Sequence, residues 1–219
     1  MNKKLLTGKK IAVLLEAEFI PSEINYYAEF FSALGAEIYL MSHLRGQKEK
    51  TFVSDIHGPD CKFKDIKTIT IKTDVHFEIP SKYDAILVAS HHCSARLREI
   101  HMPDSPFENT NVKVSTAVHF FGEAMKNNQI VKGALGHALW ILTPRKELLE
   151  KRKVTCNSII LADVLNAGGN YVDDNVVTDN DLVTGKSIEY IKEYCYAISQ
   201  TIIRKQKEIE KIENITMSN

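Results

Sequence analysis

The side chains best suited to chemistry stand in two short strings, His91-His92-Cys93-Ser94 and Gly136-His137. Imidazole nitrogen and thiol sulfur carry protons, act as nucleophiles and bind zinc. His91, His92, Cys93 and His137 are therefore candidate metal ligands. Adjacent residues rarely share one ion without a strained chelate, however, and no His-x-x-x-His spacing supports them. No metal or other cofactor is expected, and polar residues lining a cleft are the ordinary reading of this loop. Cys93, beside His92 or His137, is a candidate nucleophile. Glu16, Glu18 and Glu23 form a third group, able to serve as general acid or base if burial raises a pKa. A carboxylate near a helix start is more often solvated or held by backbone amides.

These residues need elements to position them. Ile130 to Leu142 is an apolar run that turns at Gly136 and continues with apolar residues at helical spacing. A strand entering a helix through a sharp elbow is written this way, and such an elbow holds one side chain up at the end of a sheet. Its tip is Gly136, which has no side chain to react. Lys10 to Leu15 and Tyr83 to Ser90 are continuous apolar runs, as in parallel strands buried on both faces, and Ala36 to Met41 is a further strand. Between Lys10–Leu15 and Ala36–Met41, Ile24, Tyr27, Phe30, Phe31 and Leu34 recur at helical spacing, with Ser22 as cap and Gly35 as terminator. The strand–helix–strand order demands a parallel pair. His43 to about Pro80 is less regular, with a half-exposed strand over Lys64 to Lys72, and Asp104 to Asn111 reads as a surface loop. Later segments give helices at Thr116–Asn128, Pro144–Lys151 and Ile159–Ala167, and a strand at Lys153–Cys156. A hairpin turns at Asn180-Asp181, and a last helix, capped by Ser187, leads into a charged tail from about residue 205. Trp140, Tyr26, Tyr27, Phe30 and Phe31 are most simply packing residues.

The chain has 219 residues with Lys plus Arg 28 and Asp plus Glu 28, so no net field favours nucleic acid or anionic membrane. No apolar run reaches the length of a membrane span, and the basic start lacks the apolar segment of a secretory signal. Four scattered cysteines without a Cys-x-x-Cys pair suit a reducing cytoplasm. One domain covering residues 1–219 is expected.

The element order, together with Asn166-Ala167-Gly168-Gly169-Asn170-Tyr171-Val172-Asp173 followed by Leu182-Val183-Thr184, resembles the ThiJ/PfpI superfamily, relatives of class I glutamine amidotransferase domains. The resemblance covers most of the chain. It implies a flavodoxin-like three-layer α/β sandwich with a mostly parallel sheet, and homo-oligomers, commonly dimers. Family members usually carry Ala-Ile-Cys-His-Gly at the elbow, with a reactive cysteine; here Ala134-Leu135-Gly136-His137-Ala138 keeps the histidine and lacks the thiol. The glutamate that usually hydrogen-bonds that cysteine is matched by Ile20, with Glu18 two residues earlier and Glu23 three later. Glu18 is the favoured carboxylate, because the family commonly keeps a glutamate there. The usual Gly-Gly of the oxyanion loop is Ser90-His91.

Three departures at one site imply loss of the cysteine chemistry, since glycine offers no sulfur to activate. The reading is a catalytically degenerate relative that binds a small molecule or a partner in the former pocket, lined by Glu18, Ile20, Ser90, His91, His92, Gly136, His137 and Cys156. The alternative is a hydrolase, amidase or glyoxalase working through Glu18, His137, Cys93 or a metal.

Overall fold

The computed structural model describes residues 4–55, 66–99 and 114–217. The Asp104–Asn111 loop expected from sequence lies outside them, as does the first part of the Lys64–Lys72 strand. The strands are β1 (Lys10–Leu14), β2 (Glu37–Met41), β3 (Lys50–Val53), β4 (Thr68–Ile71), β5 (Ala85–Val88), β6 (Val131–Leu135), β7 (Lys153–Val154), β8 (Asn170–Tyr171), β9 (Val176–Asp179) and β10 (Leu182–Gly185). The helices are α1 (Pro21–Ala33), α2 (His92–Leu97), α3 (Thr116–Met125), α4 (Lys146–Leu149), α5 (Leu161–Asn166) and α6 (Ile191–Met217).

One sheet in the order β2-β1-β5-β6-β10-β9 organises the chain. Every pairing in it is parallel except the β9–β10 hairpin at one edge. The physical reason is composition. β5 (Ala-Ile-Leu-Val) and β6 are buried along their whole length, which only a sheet covered on both faces allows. Helices α1 and α6 pack together, with Tyr27 and Tyr194 6.2 Å apart between ring centroids. Helices α2, α3 and α5 gather around the turn that follows β6. Gly133 on β6 lets α6 approach, because a Cβ there would collide with the Tyr194 hydroxyl and Leu87. Among the described residues, no helix is long and apolar enough to cross a membrane.

Several local expectations need correction. Helix α1 starts at Pro21 with Ile20 as N-cap and no side-chain cap from Ser22, since proline's fixed φ suits the first helical position. Ser187 likewise gives no capping bond to the short 3-10 turn that opens the last helical stretch. After Gly136 the chain makes a 3-10 run to Leu142 rather than an α-helix. The charged tail continues α6 to Met217, with Lys205–Glu208 and Gln206–Glu210 contacts one turn apart along its surface.

The irregular stretch after residue 43 hides a second, two-stranded sheet of β3 and β4. Its task is to pin the segment after β1. Glu18 N–H donates to Val53 O at 2.8 Å, Phe19 bridges Ser54, and Asp55 N–H donates to Phe19 O at 2.9 Å.

Candidate functional site

Because β1, β5 and β6 are parallel neighbours, the segments after them emerge at the same edge of the sheet. The β5–β6 register, with Val88 opposite Ala134, carried two residues on sets Ser90 opposite Gly136, at a strand spacing of about 4.8 Å. The histidines follow: His91 and His137 lie 5.6 Å apart between ring centroids and His91 and His92 4.4 Å. Ser94 Oγ is 2.9 Å from the carbonyl oxygens of both His91 and His137, tying α2 to the elbow. Asn157 N–H approaches Gly136 O at 3.4 Å, so Cys156 and Asn157 pass along the same turn. Residues far apart in sequence thus meet at one carboxyl edge, where α/β sheets hold ligands.

Two backbone conformations mark the place. Gly136 has φ +59°, and a Cβ added there meets nothing nearer than 3.8 Å. His91 has φ 65° and ψ −150°, a region normally left to glycine. Both the elbow and the loop after β5 therefore turn through left-handed backbone, which glycine accepts freely at 136 and a side-chain-bearing residue holds under strain at His91.

The carboxylate that contacts Ser90 is Glu23, while the favoured Glu18 pairs with Arg96 on α2. Glu23 is fully buried on the inner stripe of α1 with Ile24, Tyr27 and Phe31. Ser90 N–H donates to both of its oxygens at 3.1 Å, Ser90 Oγ–H donates at 2.7 Å and Tyr27 Oη–H at 2.7 Å. Burial pushes its pKa up to about 7, against the lowering pull of the Ser90 and Tyr27 hydrogen bonds. Glu18 instead takes two bonds from Arg96, at 2.9 and 3.1 Å. Its positive φ of 65° turns it onto α2. Glu16, also weighed from sequence, joins Lys50 at 3.3 Å. It borders a separate cleft of about 390 Å³ whose lining includes neither Gly136 nor His137. The signal for Glu23 was present in the sequence: it shares the helical stripe of Ile24, Tyr27 and Phe31.

The remaining candidates separate. Cys93 is fully buried and its Sγ accepts the Glu16 N–H at 2.9 Å. Burial first, and the carboxylates of Glu23, Glu16 and Glu18 after it, hold the thiol well above its ordinary range, the reverse of thiolate activation. The Cys156 thiol is pushed up to about 12 by burial. His137 is pushed down to about 4 by burial and by His91 and His92, so its imidazole is neutral at pH 7. Among the described residues, no group of three or more His, Cys, Asp or Glu side chains is placed to hold a metal ion. His91, His92, Cys93 and His137 are thus not assembled as a ligand set, because Cys93 is turned into the core. Ile20 acts as the N-cap of α1. Trp140 is anchored by its Nε1–H donating to Asp163 at 2.6 Å, with Arg98 over the ring at 5.0 Å.

Comparison with known proteins agrees with this geometry. Residues 106–201 match the model of the DJ-1/PfpI family. Protein/nucleic acid deglycase 2 of Escherichia coli is 28% identical over 181 residues, covering 82% of this chain and 90% of that relative. Over its carboxyl half the chain is thus similar to the DJ-1/PfpI family, and over most of its length to a curated relative. The flavodoxin-like fold of the superfamily is also seen in a ThiJ/PfpI domain protein from Brachyspira murdochii. Its TM-score is 0.69 at 17% identity, with 90% of this chain and 96% of that one covered. A two-domain protein from Anabaena variabilis, with DJ-1/ThiJ/PfpI-like and ferritin-like domains, also has a TM-score of 0.69, at 20% identity; 87% of this chain and 47% of that one are covered. Within the superfamily framework, Gly136 occupies the elbow tip where the resemblance expects cysteine, and Ser90-His91 occupies the Gly-Gly loop.

Proposed function

We propose that this chain is a ThiJ/PfpI superfamily member that has given up cysteine chemistry and binds a small molecule in the former catalytic pocket at Gly136. One observation carries the reading: the elbow tip keeps φ +59° but has no side chain. The nearby thiol of Cys93 is buried and held protonated, so no described cysteine replaces it. Glu23, the carboxylate of the site, already has both oxygens engaged by Ser90 and Tyr27. The same reading takes the chain as one domain, cytoplasmic, acting as a homodimer without nucleic acid or membrane as partner.

The name of the deglycase relative makes turnover the proper test. The natural protein is assayed for hydrolase, amidase, glyoxalase and deglycase activity beside Cys93→Ala and His137→Ala, with metal chelated and restored. No cysteine-dependent turnover is expected in any assay. Robust turnover abolished by Cys93→Ala identifies a relocated thiol, and turnover lost on chelation identifies a metal; either overturns the reading. Ligand binding is read as a rise in melting temperature that His137→Ala diminishes, and the dimer by sedimentation.

A further inference from the structure

The cleft beside Glu16 lies where the sheet changes direction. The chain passes from β1 to β2 on one side and later enters β5 on the other, so the strand order reverses between β1 and β5. In open α/β sheets that switch point, at the carboxyl ends of the strands, is where ligands lodge. Glu16 and Ala17 follow β1, Arg96 and Glu99 stand in the segment after β5, and Lys50–Val53 is β3; all of them line the cleft. Its volume of about 390 Å³ falls within the range of small-molecule sites.

Strand β3 turns its outer edge to this space. Ser54 N–H donates to Lys67 O on the β4 side, whereas Val53 O points away from β4 and accepts the Glu18 N–H. In an antiparallel pair the direction alternates, so the N–H and C=O of Thr51 also point away from β4. Phe19 bridges Ser54 in parallel, a register that continued backward sets Glu16 beside Thr51. The pairing stops short of that point, where Ala17 N–H donates to Glu16 Oε2 at 3.0 Å instead. The two segments part there, and both line the cleft.

Both signs of charge face the same space. The Glu16 side chain is only 10% exposed, and its Oε1 accepts from Lys50 Nζ at 3.3 Å. Lys50 also lies over the Phe52 ring, 4.8 Å from its centroid. An ammonium has three N–H groups and a carboxylate about four acceptor sites, so this ion pair has capacity for a ligand. Arg96 engages Glu18 through Nε and Nη2, and its Nη1 carries two further N–H groups. Arg45 and Glu99 add one charge of each sign to the lining. An anion would meet the Glu16 carboxylate and a cation would meet Lys50 and Arg96, whereas a ligand carrying both charges pairs with both.

We propose that this cleft binds a free α-amino acid with a small uncharged side chain. The ligand carboxylate accepts N–H groups from Thr51, Lys50 and Arg96, and the ligand ammonium donates to Glu16 and to Thr51 O. The two charges of an α-amino acid are attached to one carbon. The closeness of Glu16 to Lys50 matches that spacing, which the distant ends of a peptide do not. Ala17 and the half-exposed Val53 give the side chain an apolar wall. The site is separate from the pocket at Gly136 and does not rest on the function proposed for it.

The full chain is titrated with L-alanine, L-valine and L-threonine by calorimetry. At least one is expected to bind with a Kd below roughly 10 mM. The N-acetyl and amide forms of that amino acid, each lacking one charge, are expected to bind at least about 10-fold more weakly. These analogues leave the protein untouched, so they decide the matter even where a variant fails to fold. Glu16→Gln and Lys50→Met are each expected to weaken binding about 10-fold or more, and His137→Ala to leave it unchanged. Absence of binding by all three amino acids overturns the inference, as does equal binding of the charged and blocked forms. Affinity that survives both Glu16→Gln and Lys50→Met also overturns it. Binding abolished by His137→Ala assigns the ligand to the pocket at Gly136, which supports the proposed function and overturns this inference alone.

Discussion

At opposite ends of the sheet two carboxylates are buried in opposite company. Asp181, 3% exposed at the amino end of β10, receives Lys132 Nζ from β6 and Arg152 Nη2 at 3.1 Å, while Arg152 Nε reaches Asp179 at 2.7 Å. Lys132 also donates to Asn127 O at 2.9 Å. Burial pushes the Lys132 pKa down to about 8, against the raising pull of Asp181. Glu23, at the carboxyl end, has only neutral donors from Ser90 and Tyr27 and is pushed up to about 7. A buried carboxylate matched by cations is a clamp that holds β6, β10 and the β9–β10 turn in register. One matched only by hydroxyl and amide donors takes up a proton near neutrality, and this one lies under the loop that faces Gly136.

The largest effect expected from this contrast comes from breaking the clamp. Lys132→Met leaves Asp181 with Arg152 alone and is expected to cost about 3–5 kcal/mol in urea denaturation, since removing one partner of a buried pair strands the other. Adding Asp181→Asn should recover much of that loss. Additive costs for the two changes would show that the pair is not coupled and would break the comparison.

Glu23 comes next, and its signature is the pH dependence. Its pKa stands near 4.5 when unfolded and about 7 in the fold, so the folded state binds the extra proton between those values. Its contribution to stability is full below about pH 4.5 and is lost as pH rises through about 7. The shift corresponds to about 3 kcal/mol. Glu23→Gln is expected to flatten the stability profile across that window and to narrow its deficit, or become the more stable protein, at pH 8. Urea midpoints at pH 5 and pH 8 decide it; an unchanged slope in Glu23→Gln would remove Glu23 from the site.

Gly136→Cys sharpens the same contrast at lower cost. The pocket has room for the Cβ, so the penalty is that of a side chain at φ +59°, about 1–2 kcal/mol. Little cysteine-dependent turnover is expected, because Glu23 already serves Ser90 and Tyr27. A rate comparable to that of an active relative would mean that Glu23 can exchange those partners for the sulfur.

How much of this was legible in the residues differs between the two ends. The parallel strands follow from runs such as Ala85-Ile86-Leu87-Val88, and the elbow from the apolar run broken at Gly136, because both signals are local. β4 lies within the half-exposed strand expected at Lys64–Lys72, but its partner β3 escaped notice because the two are distant in sequence and β3 is mixed in polarity. The Glu23–Ser90 contact was missed for a related reason. The resemblance set Ile20 at the glutamate position and favoured Glu18 two residues earlier, whereas burial is set by the helical stripe, on which Glu23 shares a face with Tyr27. The cleft beside Glu16 joins segments from two different sheets and had no local signal at all. Lys132 is the reverse case: a lysine inside Val131-Lys132-Gly133-Ala134-Leu135 breaks an apolar run and announces a buried ion pair, though not its partner.

The smallest effect concerns the carboxylate that sequence favoured. Glu18 and Arg96 make a two-bond pair, but the Arg96 side chain is 46% exposed and that of Glu18 16% exposed. Water competes for the guanidinium, and salt screens what remains. Glu18→Gln is therefore expected to cost about 0.2–1 kcal/mol, an effect that 1 M salt should largely erase. Unlike Glu23→Gln, it should leave the change in stability between pH 5 and 8 almost as in the natural protein, because Glu18 sits beside the Arg96 guanidinium whereas Glu23 is buried among neutral donors. If Glu18→Gln instead removed the neutral-pH slope while Glu23→Gln kept it, the two carboxylates would have to exchange roles. The family spacing would then have been the better guide than the helix stripe.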